Sequence, residues 1–115
     1  MSRKSTQNRK QSGVVGADRW KAPDVLQGGK STFASDIYSF GMCILEVVSG
    51  KFPWGTLPDI AVRYHILEKK QIPVRPENCS EAEYSLVGRM CRFDPSKRIG
   101  LNAVVDELKT FRNTH

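Results

Sequence analysis

The 115-residue chain contains no apolar run long enough to cross a bilayer. Its most apolar stretch, Ile37 to Val48, is too short and carries Glu46. The leading residues Met1-Ser2-Arg3-Lys4-Ser5 are polar and basic, with no apolar segment behind them, so a secretory signal is not expected. Cysteine is scarce. Cys43, Cys79 and Cys91 are scattered, show no C-x-x-C spacing, and have neither His65 nor His115 close by in sequence. That pattern argues against a metal site or a disulfide framework and for three buried free thiols in a reducing, cytoplasmic compartment. Alternating apolar and polar residues of useful length are also missing, which removes the signal for strands.

Acidic charge is nearly absent from the first part of the chain. Residues 1–21 hold Arg3, Lys4, Arg9, Lys10, Arg19 and Lys21 against Asp18, a local charge of +5 out of a total of +6. A basic arm can seek nucleic acid or an anionic membrane. This one has no interleaved aromatics for base stacking and no amphipathic period, so neither nucleic acid nor membrane is expected as a partner. The remainder is close to neutral, and the overall 39% hydrophobic and 26% charged content is that of an ordinary globular chain. At this length it is one small domain or a piece of a larger one.

Residues 1–18 are rich in Ser, Thr, Gln, Asn, Arg and Lys and read as a mobile basic segment. Residues 19–115 read as helices. Ala22-Pro23-Asp24-Val25-Leu26 is a single turn with Pro23 in its first positions and Gly28-Gly29 ending it. Ser31 to Ala34 is expected to be a loop, and Ser35 to cap a helix that runs to Ser49 and stops at Gly50. The apolar residues of that helix cover nearly its whole circumference, which predicts burial on all sides. Gly41 in its middle costs about 1 kcal/mol relative to Ala, a loss that close approach of another backbone would offset. Lys51-Phe52-Pro53-Trp54-Gly55 is a rigid turn with two aromatic anchors. Thr56 is expected to cap a third helix through Leu67, with Asp59 completing a variant capping box. Ser80-Glu81-Ala82-Glu83 is a capping box for a fourth, with Leu86, Val87, Met90 and Cys91 on one side. Asp94-Pro95 breaks the pattern. The last helix shows Leu101, Val104, Val105, Leu108 and Phe111 on one face. The fold class is all-α with a long leading loop.

Four motifs, in order, carry a family resemblance: Arg19-Trp20-Lys21-Ala22-Pro23-Asp24, Ser35-Asp36-x-x-Ser39-Phe40-Gly41, Pro53-Trp54, and Asp94-Pro95-Ser96-Lys97-Arg98. Over residues 13–111 the chain resembles the C-terminal, helical lobe of the protein-kinase fold, closest in style to tyrosine-kinase-like or tyrosine kinases. The resemblance implies that residues 1–18 are the activation loop, with the family's metal-binding Asp-Phe-Gly expected just before Met1. It implies that Gly16, Ala17, Arg19, Trp20 and Lys21 belong to the substrate-docking loop. It makes Asp24 and Arg98 an ion pair; Asp is one methylene shorter than the family's Glu, so a longer or water-bridged pair is expected. It makes Asp36 the residue that holds the catalytic-loop backbone from below, and Trp54 a structural anchor. Ala17 stands where Ser/Thr kinases usually have a Thr hydroxyl at the catalytic centre, which weighs against Ser/Thr kinase activity.

The parts that do phosphoryl transfer in that family have no counterpart here: the Gly-rich loop, the ATP-anchoring Lys, the catalytic Asp and the metal-binding Asp. Gly29-Lys30-Ser31 is similar to the end of a P-loop but lacks the first Gly at the required spacing and the preceding strand. No catalytic, cofactor-binding or metal residue is therefore assigned, and ATP and Mg are implied only for a full-length family member. Ser5, Thr6 and Ser12 lie among Arg and Lys and are candidate phosphosites, since a phosphate there could pair with Arg9 or Arg19. The leading expectation is a kinase fragment, truncated from a longer product and inactive by itself. Its partner would be the missing N-terminal part of a kinase domain. The alternatives are a non-catalytic, pseudokinase-like binding or scaffold module that docks through the third helix and the Trp54 turn, or a gene remnant with exposed apolar area.

Overall fold

In the computed structural model the described residues are 16–113. Most of the segment expected to be mobile, with the candidate phosphosites Ser5, Thr6 and Ser12, lies outside them. The described chain begins with a 3-10 turn, Ala17–Trp20, followed by α1 (Pro23–Leu26), α2 (Phe33–Ser49), α3 (Asp59–Leu67), α4 (Glu81–Met90), a second 3-10 turn at Pro95–Lys97, and α5 (Leu101–Asn113). No strand occurs among the described residues, and none of their helices is long and apolar enough to cross a membrane.

The helix ends follow local hydrogen bonding. Pro23 opens α1 without wasting an amide donor. Beyond it Gly28 takes φ 97° and Gly29 returns its N–H to Asp24 O at 3.0 Å, so these glycines close a helix rather than cradle a phosphate. Helix α2 starts earlier than expected. Thr32, not Ser35, is its cap: Thr32 Oγ1 accepts from Ser35 N at 3.0 Å, and Ser35 Oγ accepts from Thr32 N at 2.7 Å. A cap at Thr32 leaves Ser35 at the third helical position, where it satisfies a second amide. Gly50, at φ 73°, ends α2 as expected. The Ser80–Glu83 box also forms as expected. Helix α3 begins at Asp59 behind Pro58, and Thr56 lies in the preceding turn without capping it.

The core sits between α2 and α4. Ile37, Tyr38, Met42 and Leu45 pack against Leu86, Val87, Met90 and Cys91, with Val104 of α5 and Ala22 closing the sides. Gly41 lies against the end of α4. A Cβ there would lie 2.5 Å from Cys91 Sγ and 3.3 Å from Met90 Cβ, so side-chain atoms of α4 occupy the space, where a neighbouring backbone was expected. Burial of α2 is one-sided, contrary to its all-round apolar sequence. Phe33 is 91% exposed and Val47 82% exposed. Composition sets how much of a helix can be buried, and only the packing elements present decide how much is. Cys79 and Cys91 are buried free thiols, whereas Cys43 is exposed on the open side of α2.

Candidate functional site

The expected docking segment is fixed by one buried side chain. Arg19 is 4% exposed. Its Nη1 donates to Pro53 O at 3.1 Å and to Gly55 O at 3.2 Å, and its Nη2 donates to Leu57 O. The carboxylate of Asp59 lies 3.4 Å from Nη2 and supplies the countercharge. A planar guanidinium suits this position, because its donors fan out in fixed directions toward carbonyls that a turn has already aimed inward. Gly16 lies against the same carboxylate; any Cβ at this position would collide with Asp59 Oδ2. Gly16 and Arg19 thus clasp the start of α3 from two directions.

Trp20 leans the other way, onto α2. Its Nε1 donates to Glu46 Oε1 at 3.0 Å, its carbonyl accepts from Ser39 Oγ at 2.7 Å, and its ring meets Phe52 edge-on at 5.8 Å. Asp18 bridges Lys21 and Arg63, both at 3.2 Å. Arg63 also donates to Leu26 O at 3.3 Å, tying α3 to the end of α1. What this segment offers to solvent is therefore Ala17 and Lys21, both exposed, while Arg19 is turned into the fold.

Asp24 and Arg98 meet directly. Nη2 of Arg98 lies 2.7 Å from Asp24 Oδ1, and Nη1 lies 3.5 Å from Oδ2. The expected lengthening does not occur, because Arg98 is drawn in by other acceptors. Its side chain donates to Arg92 O, Ala34 O and Phe93 O at 2.7, 3.0 and 3.1 Å, and its guanidinium lies 5.1 Å from the centre of the Tyr38 ring. The arginine side chain is 1% exposed and that of the aspartate 25%. Burial, then the neighbouring Cys91, pushes the Tyr38 hydroxyl far above its ordinary range. Burial likewise pushes the Cys91 thiol up, with Arg98 opposing it, so both stay protonated at physiological pH.

Asp36 is exposed, and its carboxylate has no hydrogen-bond or ion-pair partner among the described residues. It stands at the edge of an apolar recess formed by Phe33, Ile37, Phe40, Ile99 and Leu101. Trp54 adopts φ 70° and stacks on His65 with centroids 5.5 Å apart; His65 Nδ1 in turn pairs with Gln71 Oε1 at 3.0 Å. The Trp54 Nε1 is buried without a partner.

Nucleotide-bound magnesium calls for gathered carboxylates. Among the described residues no three His, Cys, Asp or Glu side chains come together, and the carboxylate of Asp24 is already engaged by Arg98. No step of phosphoryl transfer is assigned to the described residues. Sequence reasoning missed Glu46, Ser39, Asp59 and Arg63 as the partners that hold the docking segment. Glu46, the one carboxylate within the apolar stretch Ile37 to Val48, was the visible signal for a partly buried polar contact.

The family model for protein tyrosine and serine/threonine kinases matches residues 1–108. The chain is 29% identical over 106 residues to the serine/threonine/tyrosine-protein kinase HT1 of Arabidopsis thaliana, covering 92% of this chain and 27% of that protein. It is 33% identical over 98 residues to the tyrosine-protein kinase transforming protein Fps of avian sarcoma virus (strain PRCII), covering 84% and 18%. It is 30% identical over 89 residues to the receptor-like tyrosine-protein kinase kin-15 of Caenorhabditis elegans, covering 76% and 18%. The chain thus spans less than a third of the length of each of these relatives.

Proposed function

The chain belongs to the protein tyrosine and serine/threonine kinase family, and from that premise we propose that it supplies the scaffold and substrate-docking face of a kinase domain while being catalytically inactive alone. Its helices are those of the C-terminal lobe of that fold. The observation that carries the reading is where the motif residues are spent. Arg19 serves the turn at Pro53–Leu57, Asp24 serves Arg98, and Trp20 serves Glu46. Each holds the lobe together, and none is left to grip a nucleotide or orient a hydroxyl. ATP and magnesium belong, in this reading, to a longer family member. The natural partner is the N-terminal part of a kinase domain, which would set its catalytic-loop backbone on Asp36. Three free thiols suit a cytoplasmic setting.

The test is incubation of the purified 115-residue chain with labelled ATP, magnesium and a mixture of Ser-, Thr- and Tyr-containing peptides. No transfer and no magnesium-dependent nucleotide binding is expected. Labelled peptide that survives repurification of the chain overturns the reading.

A second reading, a non-catalytic module that docks on another protein through α3, draws support from Ile60 and Tyr64. They lie four residues apart on one face of α3 and are 80% and 51% exposed. Replacing both by Lys would abolish capture of a partner in that reading and leave the fold intact.

A further inference from the structure

Helix α3 turns Val62 and Ile66 inward, where both are buried. Ile60, Arg63 and Tyr64, three and four residues apart, share the opposite side. That side is bare: Ile60 is 80% and Tyr64 51% exposed, and neither belongs to the core. Cations frame the pair. Lys21 and Arg63, with side chains 47% and 41% exposed, each lie 3.2 Å from the carboxylate of Asp18, Lys21 at Oδ1 and Arg63 at Oδ2. Lys69 stands past the other end of α3, its Nζ 5.8 Å from the centre of the Tyr64 ring, and it meets no carboxylate among the described residues. Donors here exceed acceptors. An ammonium carries three N–H groups and a guanidinium five. Lys21 Nζ has Asp18 alone, and Arg63 has Asp18 and Leu26 O. The nearby carboxylates are few. Asp59 is taken by Arg19, Asp18 is shared by two cations, and Glu68 follows four residues after Tyr64. Residues 1–15, which lead into Gly16 beside Asp59, add Arg3, Lys4, Arg9 and Lys10 and no carboxylate.

We propose that this side of α3, together with Lys21, receives an acidic polypeptide surface that carries apolar side chains among its carboxylates. Ile60 and Tyr64 form the apolar centre of the face, and Lys21, Arg63 and Lys69 form its polar rim, the usual layout of a protein interface. One carboxylate of the partner takes the unused donors of Lys21 and Arg63, and another sits at Lys69. A basic partner meets like charge at both ends, so the rim governs partner choice and encounter rate. The proposal rests on the second reading above, docking of another protein through α3, and adds the chemistry of that protein.

Fluorescence anisotropy of the 115-residue chain with three labelled peptides tests it. The first peptide sets pairs of Leu, four residues apart, among Glu; the second has Lys for every Glu; the third has Ser for every Leu. Only the first is expected to bind, with an affinity that falls as salt rises. Lys21→Glu and Lys69→Glu, both at exposed positions, should each weaken it about 3–10-fold. Lys109→Glu makes the same change of net charge on α5, which packs on α4, and should leave binding unaltered. Ile60→Ser with Tyr64→Ser should weaken it at least ~10-fold with an unchanged circular dichroism spectrum. Equal binding of the Glu and Lys peptides overturns the proposal, as does indifference to either lysine change, equal binding of the Ser peptide, or tighter binding of a single-stranded oligonucleotide. If the serine pair still abolishes binding in those cases, docking through α3 stands and only the acidic partner falls. Binding of no peptide, or binding indifferent to the serine pair, overturns both.

Discussion

Arg98 reaches Asp24 across 74 residues of sequence, its Nη2 2.7 Å from Oδ1, and it does so from a site where its own side chain is 1% exposed. The ion pair is lopsided, since the aspartate keeps 25% exposure and some water while the arginine keeps almost none.

That lopsidedness sets an order of costs. Asp24→Ala leaves a buried guanidinium without countercharge and should cost about 3 kcal/mol. Arg98→Ala should cost more, about 4–5 kcal/mol, because it also strips the donors from Ala34, Phe93 and Arg92 carbonyls. Urea denaturation of the two variants measures both. Equal costs would mean that the carbonyl contacts contribute nothing.

Gly41→Ala sets two effects against each other. Alanine gains about 1 kcal/mol of helix propensity, but its Cβ would lie 2.5 Å from Cys91 Sγ, and overpacking costs roughly 1–3 kcal/mol. The sulfur hangs directly on its own Cβ and has little room to retreat. Gly41→Ala should therefore destabilise the chain, whereas in a Cys91→Ala background the same change should stabilise it. A double-mutant cycle in urea shows the change of sign or its absence.

Arg19→Ala removes the shared donor of Pro53, Gly55 and Leu57 carbonyls and should cost about 3 kcal/mol. Arg19→Lys should recover only a minor part, because one ammonium cannot span three divergent acceptors. Full recovery by lysine, read from unfolding midpoints, would mean that charge against Asp59 is all that matters.

Asp94 provides a pH signature. The Ser96 hydroxyl, followed by the Ser96 amide, hydrogen-bonds its carboxylate and holds it below the usual carboxylate range. A depressed value favours the folded state above the ordinary carboxylate range, and that contribution is lost as pH falls through the lowered value. In Ser96→Ala the Asp94 carboxyl should titrate at higher pH than in the parent chain. A carboxyl-carbon NMR titration in which the two coincide would refute the assignment.

The helices were legible because their signals are local. Pro23 at the head of α1, Gly50 at the end of α2 and the Ser80–Glu83 box each act within one turn of chain. The start of α2 was misplaced because Ser35 is a good cap by type, whereas it serves as the third residue of the box that Thr32 opens. The family resemblance pointed to Asp24 with Arg98, a contact that no periodicity could suggest. The partners of Arg19 are main-chain carbonyls, which every residue has and no sequence advertises. The one-sided burial of α2 was illegible for another reason: apolar content records what a helix can cover, not what comes to cover it.

The grip of Arg19 on residues 53–57 closes a loop of nearly forty residues with one side chain. The leading turn, the bend before α3 and the first residues of α3 are thereby obliged to open together or not at all. Hydrogen exchange across these stretches, distant in sequence, would report a single shared protection free energy, making the region one cooperative unit of local unfolding.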